Sequence, residues 1–342
     1  MKYSKYNSET PKMIIELVIL AIIIALLFDF WNGVNDAANS IATIVSTRVL
    51  PPRVAVGWAA WWNFAAAFGF GVSVATTIGK SIVNPIVVNE TLIMGALIGA
   101  ILTVALATFM GLPISASHSL IGGLVGAAIA KGGIEVIFID GLTKVLIFIF
   151  IAPLLGMIIG YSVMVLASRV SIHMSVNRHN KMFKRLQLIS AAGYSLGHGT
   201  NDAQKTMGII AILLFSAGLL GDEFYVPVWV ILAAHTSIAL GTLIGGRRVI
   251  KTLGMKVTKL RPIGGFSAET AGAVTLLGTA LGGIPVSTTH TITGSIIGVG
   301  TTKGLSAVKW GVARRIIWAW IATIPLSMTI AAISYYLLSA II

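Results

Sequence analysis

Asp36 and Asp202 are the residues in this chain whose type and setting demand a chemical explanation. Each sits in a short polar cluster, GVNDAANS (33–40) and GTNDAQKT (199–206), beside long apolar stretches. An ionised carboxylate at membrane depth is costly unless it is paired or binds a cation. Asn35 and Asn39 are spaced i, i+4, so on a helix they share a face, with Asp36 beside it. Carboxylates, amide oxygens and backbone carbonyls freed by a helix break are hard donors. They suit an alkali cation better than zinc or copper, which prefer nitrogen and sulfur. The plainer alternative is a polar network that glues helices together. Repetition of the motif favours an ion site, with Asn35, Asp36, Asn39, Asn201 and Asp202 as its candidate ligands.

A second pair of motifs lies further along, GLPISASHS (111–119) and GGIPVSTTHT (282–291). Each places hydroxyls where a short helix begins after a Gly-x-Pro break. Helix N-termini leave backbone N–H groups unpaired and carry partial positive charge, so an oxyanion fits there without an arginine. Two such tips meeting would form one anion site from Ser115, Ser117, Ser287, Thr288 and Thr289. Ordinary Ser/Thr capping is the competing account. His118 and His290 follow the tips and read as packing or hydroxyl-bonding residues before proton relays. Glu90 and Glu269 precede the tips, as gates or further ion ligands, or as acids at helix N-termini. Lys205 stands where Asn39 stands in the first cluster, to offset Asp202 or approach an anion. Asp29 reads as paired locally.

The elements that position these residues follow from composition and repetition. Of 342 residues, 56% are hydrophobic and 10% charged, with no cysteine. Soluble domains carry about a quarter charged residues, so the chain reads as an all-α polytopic membrane protein without disulfides or thiol chemistry. The first run, 13–31, lacks a cleavage site and reads as a retained helix. Gly-Lys-Ser at 79–81 is no phosphate loop, because Val74 stands where that loop needs glycine, and no hydrolase or dinucleotide motif occurs. The chain reads as no enzyme and needs no cofactor.

GVNDA recurs as GTNDA at an offset of 166, and the 113–132 segment recurs at 285–304, matching at Pro113, Ser115, His118, Gly122, Gly126, Lys131 and Gly132. The chain therefore divides into halves, 1–167 and 188–342, joined by a basic linker, 168–187. Most of the 24 lysines and arginines fall at Arg48 and Arg53 and in the segments 168–187, 247–261 and 301–315, which hold no acid. The net charge of +13 is thus mostly topological, keeping basic loops cytoplasmic, and nucleic acid is not an expected partner. The N-terminal Lys2, Lys5 and Lys12 are the exception, since both termini are placed outside. Equivalent loops of the two halves differ in charge, so they face opposite sides: an inverted-topology repeat with broken helices. The segments 91–130 and 265–300 then enter and leave on one side, as re-entrant helical hairpins whose tips line a cavity.

These motifs resemble those of the inorganic phosphate transporter (PiT) family. FWNGVNDAANSIATIVSTRVL looks like its first signature, SLGHGTNDAQKTMGII like the second in its bacterial branch, and LPISASHSLIGG and IPVSTTHTITG like its paired hairpin motifs. Glu90 and Glu269 match acids important in the family. The resemblance spans essentially the whole chain. It implies cation-coupled phosphate uptake in the inner (plasma) membrane by alternating access, with Asp36 and Asp202 as sodium ligands. The hairpin hydroxyls, with Gln204, are implied as phosphate ligands. The expected partners are phosphate, sodium and lipid, and a homodimer is one assembly the resemblance allows. Proton coupling, sulfate as the anion, and a non-transporting receptor or scaffold are the alternatives. Gln204, Lys205 and Asn63 depart from the family's eukaryotic pattern and leave the coupling ion open.

Overall fold

A computed structural model of the chain describes residues 9–245, 247–253 and 257–342. Lys2 and Lys5 lie outside these residues, as does the side chain of Lys12. Twelve α-helices are present among the described residues, with short 3₁₀ turns and an isolated bridge between Val83 and Ile137 as the only extended pairing. In order they are α1 (Glu9–Ser46), α2 (Pro52–Ala65), α3 (Ser73–Ser81), α4 (Glu90–Met110), α5 (Ala116–Gly132) and α6 (Ile139–Val170), then α7 (Val176–Ser216), α8 (Val228–Ile244), α9 (Arg247–Lys251), α10 (Pro262–Leu281), α11 (Thr288–Thr301) and α12 (Trp310–Ser339). The second six follow the first six in their sequence of long and short elements.

Three boundaries depart from the sequence reading. The region 168–187 is a linker only over 171–175. Of its lysines and arginines, Arg169 lies in the last turn of α6, and Arg178, Lys181, Lys184 and Arg185 ride on the exposed first turns of α7. At 41 residues, α7 is roughly 60 Å long, longer than a bilayer is thick. The apolar segment 54–79, whose length alone would read as one crossing, is split into α2, a 3₁₀ turn and α3. The helices also do not break at the Asn-Asp clusters, because α1 and α7 run through 33–40 and 199–206 without interruption. No backbone carbonyl is freed there, so side chains alone supply the oxygens of α1 and α7.

The breaks fall instead at the hairpin tips, and both are built alike. Gly111 and Gly283 close α4 and α10 with left-handed backbone (φ 68° and 65°), where glycine carries no Cβ penalty. Leu112 N donates to Ala107 O at 2.9 Å, and Ile284 N to Thr279 O at 2.9 Å. Pro113 and Pro285 then prevent the helix from resuming at once, and Ser115 and Ser287 cap the next helix. Their hydroxyls accept from His118 N at 3.1 Å and His290 N at 3.3 Å.

Packing crosses between the halves. The second arm of each hairpin lies against the last helix of the other half, α5 on α12 and α11 on α6. Small residues make this approach possible, as in other membrane helix pairs. A Cβ built on Gly126 would lie 2.3 Å from Met328 O, and one on Gly298 would lie 2.0 Å from Met157 O. α1 and α7 are antiparallel: Thr47, just past the end of α1, meets Gln187, while eleven residues earlier Asp36 meets His198 further along α7. Outward faces of α6 and α12 expose Phe150, Leu154, Ile158, Trp318 and Ile321. α1, α4, α6 and α12 are each long and apolar enough to span a bilayer. Apolar outer surface on such helices is what lipid requires, so the chain is an all-helical membrane protein.

Replacing Gly298 by alanine should force α11 off α6, an overpacking worth about 1–3 kcal/mol. The expected result is a lower midpoint of thermal unfolding in detergent. Gly57→Ala, at a site with open space around the added carbon, should leave that midpoint unchanged.

Candidate functional site

The two Asn-Asp clusters and the two hairpin tips meet in one buried knot. Asp36 and Asp202 are each 1% exposed or less. The Thr288 hydroxyl lies between them, 3.1 Å from Asp36 Oδ2 and 2.9 Å from Asp202 Oδ2. Thr289 Oγ1 is 3.3 Å from Asp36 Oδ1, donates to Ile114 O at 2.9 Å, and accepts from Asn39 Nδ2 at 2.9 Å. Asn39 Nδ2 also reaches Thr288 Oγ1 at 3.4 Å. From the other tip, Ser117 Oγ accepts from Lys205 Nζ at 2.5 Å. Lys205 Nζ also donates to Asp202 Oδ1 and, at 2.7 Å, to Val286 O. Tyr194 braces the second tip by donating to Thr288 O at 3.1 Å.

His198 completes the knot. Its Nδ1 lies 3.1 Å from Asn63 Oδ1, and Asn63 Nδ2 donates to Thr242 Oγ1 at 2.9 Å, which fixes the amide's orientation. Nδ1 therefore carries the proton donated to Asn63, and Nε2 is left facing the carboxylates, 3.2 Å from Asp202 Oδ2 and 3.9 Å from Asp36 Oδ2. A lone pair aimed at two carboxylates is repulsive unless a proton or cation lies between them. Asp36, His198 and Asp202 each bring one ligand atom within 4.8 Å of the others. The motif reading passed over His198. Its sequence signal is its place one helical turn before Asp202, on the same face.

The asparagines of the two clusters are not hydrogen-bonded alike. Asn35 Nδ2 donates to Thr108 Oγ1 at 2.7 Å and Asn39 Nδ2 to Thr289, leaving Asn35 Oδ1 and Asn39 Oδ1 buried without a hydrogen-bond partner. Unpartnered buried amide oxygens, on the helix that also carries Asp36, are donors of the type a hard cation takes. Asn201 differs, because its Oδ1 accepts from Val286 N at 3.3 Å and its Nδ2 donates to Leu276 O at 3.2 Å.

Other expected residues lie elsewhere. Gln204 does not face the tips: its Oε1 accepts from Val74 N at 2.8 Å and Ala75 N at 3.3 Å, so it satisfies the start of α3. Ser115 and Ser287 use their hydroxyl oxygens as helix caps, as the plainer account had it. Glu90 and Glu269 are not equivalent. Glu90 is the first, half-buried residue of α4, where a carboxylate suits the helix dipole. Glu269 lies inside α10, fully buried, accepting from Thr43 at 2.5 Å, Gln187 at 3.0 Å and Ser190 at 2.6 Å. Thr43, Gln187 and Ser190 carry no motif and went unnoticed in the sequence. His118 and His290 pack edge to face, 4.5 Å between centroids, and His290 stacks on Trp320 at 3.6 Å, the packing role expected of them. Asp29 is fully buried, with Thr206 and Asn32 as its polar neighbours.

No side chain of the knot is more than 5% exposed, so the polar centre is sealed from both faces. A separate cavity of about 260 Å³ opens beside the first tip, lined by Gly111, Leu112, Pro113, Arg248, Thr252 and Arg315.

Comparison with known proteins shows the family. A model of the phosphate transporter family matches residues 32–331. A probable low-affinity inorganic phosphate transporter of Rhizobium meliloti is 51% identical, covering 94% of this chain and 96% of its own. A protein of the same description from Bacillus subtilis is 41% identical, over 95% and 98%. A solved structure described as the sodium-dependent phosphate transporter superposes with a TM-score of 0.85 at 26% identity, over 96% of this chain and all of its own. The chain is a membrane transporter rather than an enzyme, and it belongs to the phosphate transporter family.

Proposed function

We propose that the protein imports inorganic phosphate by symport with sodium, by alternating access around the buried knot. The observation that carries this reading is the pair of orphaned oxygens, Asn35 Oδ1 and Asn39 Oδ1, on the helix that bears Asp36, whose carboxylate shares Thr289 with Asn39. Sodium bound there would neutralise the carboxylate and draw it away from Thr288 and Thr289. That releases both hydroxyls, with the backbone N–H groups at the start of α11, for a tetrahedral oxyanion. Ser117 and the start of α5 complete the anion's shell from the opposite tip. Sodium binding thus frees the threonines that the anion needs, which couples the two binding events.

The scaffold suits this motion. The antiparallel α1 and α7, and hairpins that each grip the other half's last helix, support an inverted-topology repeat with halves at 1–167 and 188–342. The hairpin tips end at the level of the carboxylates, as re-entrant segments would, since Thr108 near the end of α4 binds Asn35. The start of α7 lies on the cytoplasmic side of the plasma membrane and both termini lie outside. Glu269, held by three donors two helical turns along α1 from Asp36, is placed to gate the inner path. The nearby cavity with Arg248 and Arg315 offers phosphate an electropositive approach.

Purified protein in proteoliposomes should take up labelled phosphate when an inward sodium gradient is imposed. Excess sulfate should leave that uptake unchanged; competition by sulfate would change the assigned anion. Asp36→Asn should lower uptake at least ~100-fold, because breaking a buried charge cluster costs about 3–5 kcal/mol.

His198 supports one second reading. With Nε2 between two carboxylates, the knot can hold a transported proton instead of sodium. Uptake would then follow an imposed pH gradient in sodium-free buffer and would be lost in His198→Gln. Sodium-driven uptake by the unaltered protein, with no response to the proton gradient, rules this reading out.

A further inference from the structure

The knot has two nearly equivalent sides, and they are not filled alike. The repeat offsets map Asn39 onto Lys205, Ser117 onto Thr289, and Ile114 onto Val286. The structure repeats the contacts in the same way. Asn39 Nδ2 donates to Thr289 Oγ1, and Lys205 Nζ donates to Ser117 Oγ. Thr289 Oγ1 reaches Ile114 O, and Ser117 Oγ reaches Val286 O, at 3.5 Å.

The difference lies in which oxygens remain free. On the α1 side, Asn35 Oδ1 and Asn39 Oδ1 have no partner. On the α7 side the corresponding atoms are committed. Asn201 Oδ1 accepts from Val286 N, and the place of Asn39 is taken by a lysine 1% exposed. Its Nζ is held by a carboxylate oxygen of Asp202, the hydroxyl of Ser117 and the carbonyl of Val286. One carboxylate, one hydroxyl and one carbonyl make the donor set of a sodium ion, here closed around an ammonium.

We propose that Lys205 is a tethered cation that permanently fills the second of two symmetry-related cation positions. The protein would then bind one sodium in its centre, at Asp36, where a symmetric site would take two. Charge agrees: Lys205 neutralises Asp202 and leaves Asp36 as the one carboxylate for a mobile cation. A fixed positive charge beside Ser117 also gives phosphate a permanent partner, so the lysine sets both the cation count and the net charge moved per phosphate. This inference rests on the sodium-coupled reading above.

The test replaces the tethered charge with the residue its own repeat partner carries. Equilibrium binding of radioactive sodium to purified protein should give one central ion per chain in the wild type, the one that Asp36→Asn removes. Lys205→Asn should add a second. In proteoliposomes at sodium concentrations well below saturation, a tenfold rise in sodium should speed wild-type phosphate uptake about tenfold and that of Lys205→Asn about a hundredfold, as one and two sites require. Lys205→Arg, which keeps the charge, should keep the wild-type dependence.

The proposal is overturned if Lys205→Asn binds no more sodium than the wild type. It also falls if Asp36→Asn removes two ions from the wild type, a count that needs no Lys205 variant to fold. Should sodium fail to drive wild-type uptake at all, the symport reading fails. Should it drive uptake while the counts differ from those given, only the tethered-cation assignment fails.

Discussion

Two carboxylates without water are the constraint on which this structure turns. Asp36 and Asp202 share the hydroxyl of Thr288 and the Nε2 face of His198, in a centre where no side chain is more than 5% exposed. In such surroundings an unpaired charge is far more costly than at a surface. Everything around them either supplies a donor or holds a donor in place. Asn63 and Thr242 orient His198, Tyr194 braces the tip that bears Thr288, and Lys205 closes on Asp202. Yet two amide oxygens, Asn35 Oδ1 and Asn39 Oδ1, are left without a partner. A site with every atom satisfied would be a structural core. This specific shortfall is what the proposed cation site rests on.

The scaffold follows from bringing two helix breaks to that point. A helix tip at membrane depth exposes backbone groups that lipid cannot satisfy, so each tip must be enclosed by protein. The enclosure comes from the other half. Gly126 lets α5 close on α12, and Gly298 lets α11 close on α6, at distances that leave no room for a methyl group. These exchanged arms tie the two halves together where each is weakest. They also mean that a shift of one hairpin relative to α1 and α7 is felt on both sides of the knot.

Much of this was legible in the sequence because it is written twice. The Asn-Asp clusters and the Gly-x-Pro-x-Ser tips announce themselves by repetition, and hydropathy supplies the membrane. What repetition could not show is contact between residues far apart in the chain. Glu269 looked like the partner of Glu90 because each precedes a threonine. The structure places one at a helix start and the other deep in α10, among Thr43, Gln187 and Ser190. Gln204 looked like a ligand by neighbourhood, but lies on a helix face turned to α3, where Val74 N and Ala75 N needed an acceptor. Polar sequence in an apolar run suggested broken helices at the clusters. The side chains there find enough partners to keep α1 and α7 continuous, and the break is needed only where proline and left-handed glycine impose it. His198 was hidden by the opposite effect, a single histidine in a motif whose aspartate drew the eye.

A duplicated chain begins with two copies of every site, and identical copies would give the centre two equal cation positions. The contacts show how little must change to break that equality. The register of tip against helix is kept, and so are the donor groups that cross between halves. Ala116 in place of Thr288 removes a hydroxyl from the first tip, and Lys205 in place of Asn39 adds a charge on the second helix. Together these exchange a free oxygen cage for an internal ammonium, at one end of the site only. On the tethered-cation proposal, anion affinity no longer depends wholly on ions drawn from solution, since part of the positive charge is covalent. The repeat fixes where the charges stand, and two side chains decide how many of them must travel.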